Sequence, residues 1–368
     1  MLLTCRLGVV MALVLGAFVH VFFVQGTAAA GPPTIGIESS IDGGPWTKSP
    51  AIYPVKGQSV RLKIAEQPGA TARWYQVVPD ISEVYQNCNF PWEPNPYKWI
   101  GLAKIKYLRK ELEGCRGRWE VDLIRNGDPQ RKGNKAAETV SAMVKAPVDS
   151  PHYREDAGSF WFQVEVHKKG RVTRSPGVED SDNKGLSPKV FRVSVRDGRG
   201  YLGYVTSFFN VPGLFGSIPH QSNNYIGADC ADVLASAYGK WRGKTIQKNY
   251  SVAMLVTRLR KRAEAELTDG KPNKTLEWGK QIHPGDFIAV GSSKKGPYVH
   301  IGALFSDADK NGVLSAGDLV LHAGPMPLHF TPLREGKFDG NVVILDPHSA
   351  DLAESQIPVK PVARETRK

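Results

Sequence analysis

At 368 residues, with 41% hydrophobic and 23% charged side chains, the chain can build two separate cores, which excludes a wholly disordered protein. Its formal net charge of +12 suits an anionic surround such as a membrane surface or an acidic cell-envelope polymer. No basic run is interleaved with aromatic residues, so nucleic acid is not an expected partner.

The first thirty residues read as a secretory signal. Arg6 precedes an apolar run from Leu7 to Val24, and Ala28-Ala29-Ala30 supply a small-residue cleavage end. Cleavage after Ala30 would leave no transmembrane segment; a retained membrane anchor is the alternative, because the run nearly reaches spanning length. Either way the body is exported, to the periplasm or the extracellular space. Cys5 belongs to the signal. In an oxidising compartment Cys88 and Cys115 are the expected disulfide, and Cys230 is left as a free thiol that calls for a chemical role.

Residues 32–198 show short alternating apolar runs punctuated by Gly, Pro, Asp and Asn, the pattern of an all-β domain. Runs at 59–64, 72–77, 156–162 and 190–195 are its expected strands. Trp74 as a core tryptophan, and Asp156-Ala157-Gly158-Ser159-Phe160 as a corner before a late strand, resemble the immunoglobulin fold. Phe160 stands where the corner tyrosine is usual, and Leu62 and Phe162 stand near the usual inter-sheet cysteines. Residues 80–118 read as an insertion stapled by Cys88–Cys115, with a helical-looking basic segment over 104–113. Its Trp92, Tyr97 and Trp99 either contact a ligand or cover the insertion's own small core.

A second domain is expected over 200–348. Residues 201–225 read as an irregular lead-in. Asp229 then caps a helix opening at Cys230, with Ala231, Val233, Leu234, Ala237 and Tyr238 at helical spacing. The helix start would favour a thiolate at Cys230 and offer its own backbone N–H to an oxyanion. A second helix is expected over 252–267, then strands over 287–290, 299–305, 319–322 and 342–345. On the second strand His300, Gly302 and Leu304 share a face, with Gly302 leaving room for the helix that carries Cys230. His322, one strand over, would hold the His300 ring toward the thiol.

Val211-Pro212-Gly213-Leu214-Phe215-Gly216-Ser217, Gly227-Ala228-Asp229-Cys230, Pro284-Gly285-Asp286-Phe287 and His300-Ile301-Gly302 are similar, in order and spacing, to the NlpC-type cell-wall cysteine peptidases. The resemblance covers roughly residues 205–345. It implies a multidomain chain in which an α+β papain-like (NlpC-type) domain follows the immunoglobulin-like sandwich. It also implies a Cys230–His300–His322 triad, a thioester intermediate, no organic cofactor, and peptide bonds of peptidoglycan stem peptides as the substrate. Ala231 and Asp232 depart from the family's Ser-Gly after the cysteine. Gly213 stands where a pocket tyrosine is common, with Tyr225 as its candidate substitute. A catalytically silent module binding a wall or partner, and an acyltransferase or amidase on the same fold, stay open. A zinc site on Cys230, His300 and His322 is weaker, because no close ligand pair is present.

Between the two histidine strands, residues 307–318 place Asp307, Asp309, Asn311, Val313, Ser315 and Asp318 at the oxygen positions of a calcium loop, with Gly312 at its sixth place. A structural Ca2+ is therefore the expected metal, and Leu314 its loop's anchor to a core. The tail, 349–368, is polar, proline-containing and basic, and is expected to be disordered.

Overall fold

The computed structural model describes residues 35–87, 105–123, 150–182, 184–293, 296–324 and 326–353. The signal segment, Cys88, Trp92, Tyr97, Trp99 and the end of the tail lie outside them. No helix among the described residues is long and apolar enough to cross a membrane.

Strand alternation organises the first half. In Val60–Lys63, Val60 and Leu62 are buried while Arg61 and Lys63 are half exposed. This strand lies between Glu38–Ile41 and Glu120–Leu123 in a three-stranded antiparallel sheet. A larger sheet runs in the order Ala51–Ile52, Phe191–Val195, Gly158–Lys168, Thr71–Pro79 and Tyr107–Glu111, with Arg171–Arg174 also paired to Gly158–Lys168. Leu62, Trp74, Phe162, Val164 and Val193 fill one core cluster. Trp74 is fully buried and its indole N–H donates to the Arg118 carbonyl at 2.8 Å, which removes the cost of hiding that donor.

The second half is built on a seven-stranded sheet. Its order is Lys271–Pro272, Arg260–Thr268, Gly340–Asp346, Phe287–Gly291, Tyr298–Ser306, Leu319–His322 and His329–Pro332. One face packs on the helix Cys230–Trp241 through Phe287, Ala289, Ile301, Ala303 and Leu321. The other face carries Ile288, Val290, Leu304, Val320 and Phe338. The helix-side core also takes in Val77, Trp161, Leu186 and Val190, so it is continuous with the first half. Residues from Pro32 onward accordingly form one compact unit.

The expected immunoglobulin-like sandwich followed by a papain-like α+β domain does not hold. Strand makes up 39% of the described residues and helix 12%, in four helices, too little helix for a papain-like domain. Part of the deficit comes from 252–267. Ser251 caps Val252–Arg258 by accepting from the Met254 amide, but Leu259 turns extended and Arg260–Thr268 is a strand. The reason lies in its partners: Arg260 pairs with Asp346 at 2.6 Å, and Arg262 with both Asp286 and Asp346. The register with Gly340–Asp346 shifts between Lys261 and Ala263, and this irregularity at Arg262 lets both arginines reach the buried carboxylates.

Three further expectations change. The basic segment at 104–113 contains the strand Tyr107–Glu111 rather than a helix, paired with Thr71–Pro79 and directing Arg109 onto Glu165 and the Tyr75 ring. The lead-in is not irregular throughout, since Gly200–Thr206 and Pro219–Asn223 are helical. The expected Cys88–Cys115 disulfide falls partly outside the described residues, since Cys88 is not among them; Cys115 is a buried free thiol, and no cysteine pair occurs among the described residues. The start of the tail is ordered. Ala350 and Leu352 carbonyls accept from Tyr238 and Tyr250, and Lys244 pairs with Asp351 at 2.6 Å.

Candidate active site

Asp229 makes the nucleophile helix begin at Cys230. Its carboxylate accepts from the Ala231 and Asp232 amides at 3.1 and 3.0 Å, satisfying two N–H groups that the first turn would otherwise leave open. The half-buried Cys230 packs against the core cluster that holds Ile301. The pairing between the two histidine strands stops at Gly302 opposite His322, so the Ile301 amide lies outside that ladder. The chain leaves this point through Gly324, which passes close to the Cys230 nitrogen and whose φ of +97° is a conformation that L side chains rarely adopt.

The two histidines meet directly. His300 Nε2 and His322 Nδ1 are 3.0 Å apart, and His322 Nε2 lies 2.9 Å from Thr331 Oγ1. By strand alternation His300, Gly302 and His322 lie on the face away from the helix, where Phe338 approaches both rings at 5.2 and 5.5 Å. Gly302 therefore makes room for His322, not for the helix. A Cβ at 302 would meet His322 Cβ at 3.0 Å, Val320 Cγ1 at 2.8 Å and the Leu321 carbonyl at 3.1 Å. Gly302→Ala should cost about 1–3 kcal/mol of stability and displace His322; an unchanged melting temperature would contradict this packing.

The electrostatics correct the expected thiolate. Burial, then the charge of Asp229 and to a lesser degree Asp232, pushes the Cys230 thiol well above its usual range, outweighing the Ile301 and Ala231 amides. Asp229 itself is pushed up to about 6 by burial. Asp232 is raised by burial and by Asp229, and Ser217 donates to it while accepting from the Asp229 amide at 3.1 Å. Asp232, the departure next to the nucleophile, thus fastens the lead-in to the helix.

His300 is pushed down to about 4, first by burial and then by the positive charges of His329 and Lys337. His322 falls to about 2 through burial, His300, His329 and His152. The resting pair is a neutral thiol and a neutral imidazole. A depressed histidine excludes protons that the unfolded chain would bind, so its contribution to stability is lost as pH falls from 6.5 toward 4. Asp229 acts in the opposite sense, its contribution disappearing as pH rises from 3.8 toward 6. Turnover that needs neutral His300 should therefore persist below pH 6.5 and fall only on approach to pH 4; an acid limb between 6 and 7 would contradict this environment.

In the loop between the histidine strands, Asp307, Asp309 and Asp318 bring carboxylate oxygens within 4.8 Å of one another. Asp318 is fully buried and accepts from the Ala308 and Ser315 amides and the Trp278 indole. Ser315 Oγ and the Asn311 amide nitrogen both bond to Asp309, Asn311 Oδ1 takes the Val313 amide, and Leu314 is buried against Leu276 and Ile282. Three hard carboxylates on a turn with further oxygen side chains beside them fit a calcium ion.

The structure thus joins His300 to His322 and packs Cys230 against the core cluster of Ile301, with no hydrogen bond between Cys230 and either histidine among the described residues. Thr331, missing from the sequence reading, sits in the four-residue strand His329–Pro332, where no periodicity marks it. Tyr225 does not line a pocket: it is fully buried, stacked on Phe208 with centroids 4.1 Å apart and bonded to Ser207. No protein-family model, curated protein or solved structure matches this chain.

Proposed function

We propose that this protein is an exported cysteine hydrolase that cleaves amide bonds, with peptidoglycan stem peptides as its substrate class and a structural calcium ion in the 307–318 loop. The observation that carries the reading is the join of two contacts on one strand. Cys230 opens a helix packed against the cluster of Ile301, and the preceding His300 bonds His322 at 3.0 Å. With its Nε2 given to His322, His300 has Nδ1 left for the thiol proton.

The chemistry follows from a neutral pair. As sulfur attacks the carbonyl carbon, its proton passes to His300, and the carbonyl oxygen takes negative charge near the Cys230 backbone N–H. His300 returns the proton to the leaving amine, and a thioester remains on Cys230. Water, deprotonated by His300, then hydrolyses it. The motif resemblance supplies the substrate class, and the net charge of +12 suits an anionic wall polymer.

A second reading, a silent binding module, is favoured by one observation: burial and Asp229 hold the thiol protonated. Digestion of purified peptidoglycan by the mature protein, with calcium supplied and fragments read by mass spectrometry, separates the two. New free amines or shortened stem peptides support the hydrolase. Retention on the polymer with no fragments would sink it and leave the module.

A further inference from the structure

We infer that Thr331 is a positioning residue that sets the tautomers of both histidines, so that His300 presents a lone pair to the thiol. This rests on the hydrolase reading for its consequence, but its geometry stands apart from it. Three polar side chains lie in sequence. His300 Nε2 is 3.0 Å from His322 Nδ1, and His322 Nε2 is 2.9 Å from Thr331 Oγ1. Each neutral imidazole carries one N–H and one lone pair, so this chain has only two self-consistent directions.

In one direction the Thr331 hydroxyl accepts from His322 Nε2–H. His322 Nδ1 is then an acceptor, His300 Nε2–H donates to it, and His300 Nδ1 keeps its lone pair. In the other direction the hydroxyl donates, every bond reverses, and His300 carries its proton on Nδ1. Only the first can take a proton from a neutral thiol. When it does, the His300 imidazolium still donates from Nε2 to His322, whose burial keeps it from accepting the proton outright. In this direction His322 is an orienting acceptor, and Thr331 takes the Nε2–H that leaves His322 Nδ1 to accept.

The surroundings hold this arrangement in place. Val320 is the register partner of Thr331, and His322 that of His329, so Thr331 reaches His322 from the neighbouring strand. His329 is tied by its own Nδ1 to the Pro327 carbonyl at 2.7 Å and rests against His322 with ring centroids 4.5 Å apart. Without the hydroxyl, His322 Nε2 would have no acceptor among the described residues.

The test compares Thr331→Val, which keeps the shape without the hydroxyl, with Thr331→Ser, which keeps the hydroxyl. Nitrogen-15 spectra of histidine-labelled protein report the tautomers directly, whether or not turnover is present. The expected result is a His322 protonated on Nε2 in the unmodified protein and in Thr331→Ser, with that state lost in Thr331→Val. In the same series kcat should fall about 10–100-fold in Thr331→Val at little changed KM, and recover in Thr331→Ser. Unchanged tautomers in Thr331→Val would overturn the inference, as would Thr331→Ser failing alongside it. If Thr331→Val does not fold, Thr331→Ala gives the same two readouts. A tautomer shift in a protein that cleaves nothing would uphold the role of Thr331 and count against the hydrolase.

Discussion

Replacing His300 by glutamine should lower kcat for amide cleavage by about 1,000-fold while leaving KM within a factor of about three. Glutamine fills similar space and can still face His322, but it has no basic nitrogen for the thiol proton. The effect should be large because the Cys230 thiol is held protonated by burial and by Asp229, so nothing but the imidazole prepares it for attack. Steady-state kinetics at pH 7 check this. A fall of less than about tenfold would mean that the thiol is activated elsewhere or plays no part.

Asp318→Ala should be the most damaging change outside the thiol–histidine centre. It strips a fully buried carboxylate of three donors, the Ala308 and Ser315 amides and the Trp278 indole, and leaves all three without their acceptor. A loss of about 3–5 kcal/mol is expected. Calcium adds a second readout. Saturating calcium should raise the melting temperature of the unmodified protein by about 5 °C and leave Asp318→Ala unmoved. Because the loop joins the strands of His300 and His322, chelation should lower activity along with stability. Melting that is identical with and without chelator would contradict a calcium ion in this loop.

Much of the centre was legible because each part carries a local signal. Asp229 before an apolar helical stripe marks the cap and so places Cys230. The strand 319–322 is marked by its short apolar run, and the loop 307–318 by oxygen side chains at fixed steps. What escaped depends on pairing across the sheet. Arg260–Thr268 reads as helix while its neighbours are unknown, and becomes strand because Asp286 and Asp346 accept Arg262 and Arg260. Likewise, alternation put Gly302 beside His300 but not on a side of the sheet. Only the register with Leu319–His322 reveals that the missing side chain makes space for His322.

The thiol's charge state was misread for a related reason. A helix start lowers a thiol pKa when the site is open, yet here burial raises it first, and the charge of Asp229, which builds that start, adds to the rise. The same residue that positions the nucleophile raises its pKa. In the proposed mechanism this leaves His300, and through it His322 and Thr331, as the means of activation.

Cys230→Ala set beside the unmodified protein on purified peptidoglycan tests the central claim most directly. Both would be calcium-loaded and checked for equal melting, and released amines would be counted over time. The expected result is release by the unmodified protein alone, with the variant reduced by at least about 10,000-fold. Equal release from both would contradict a thiol-centred hydrolysis at this site.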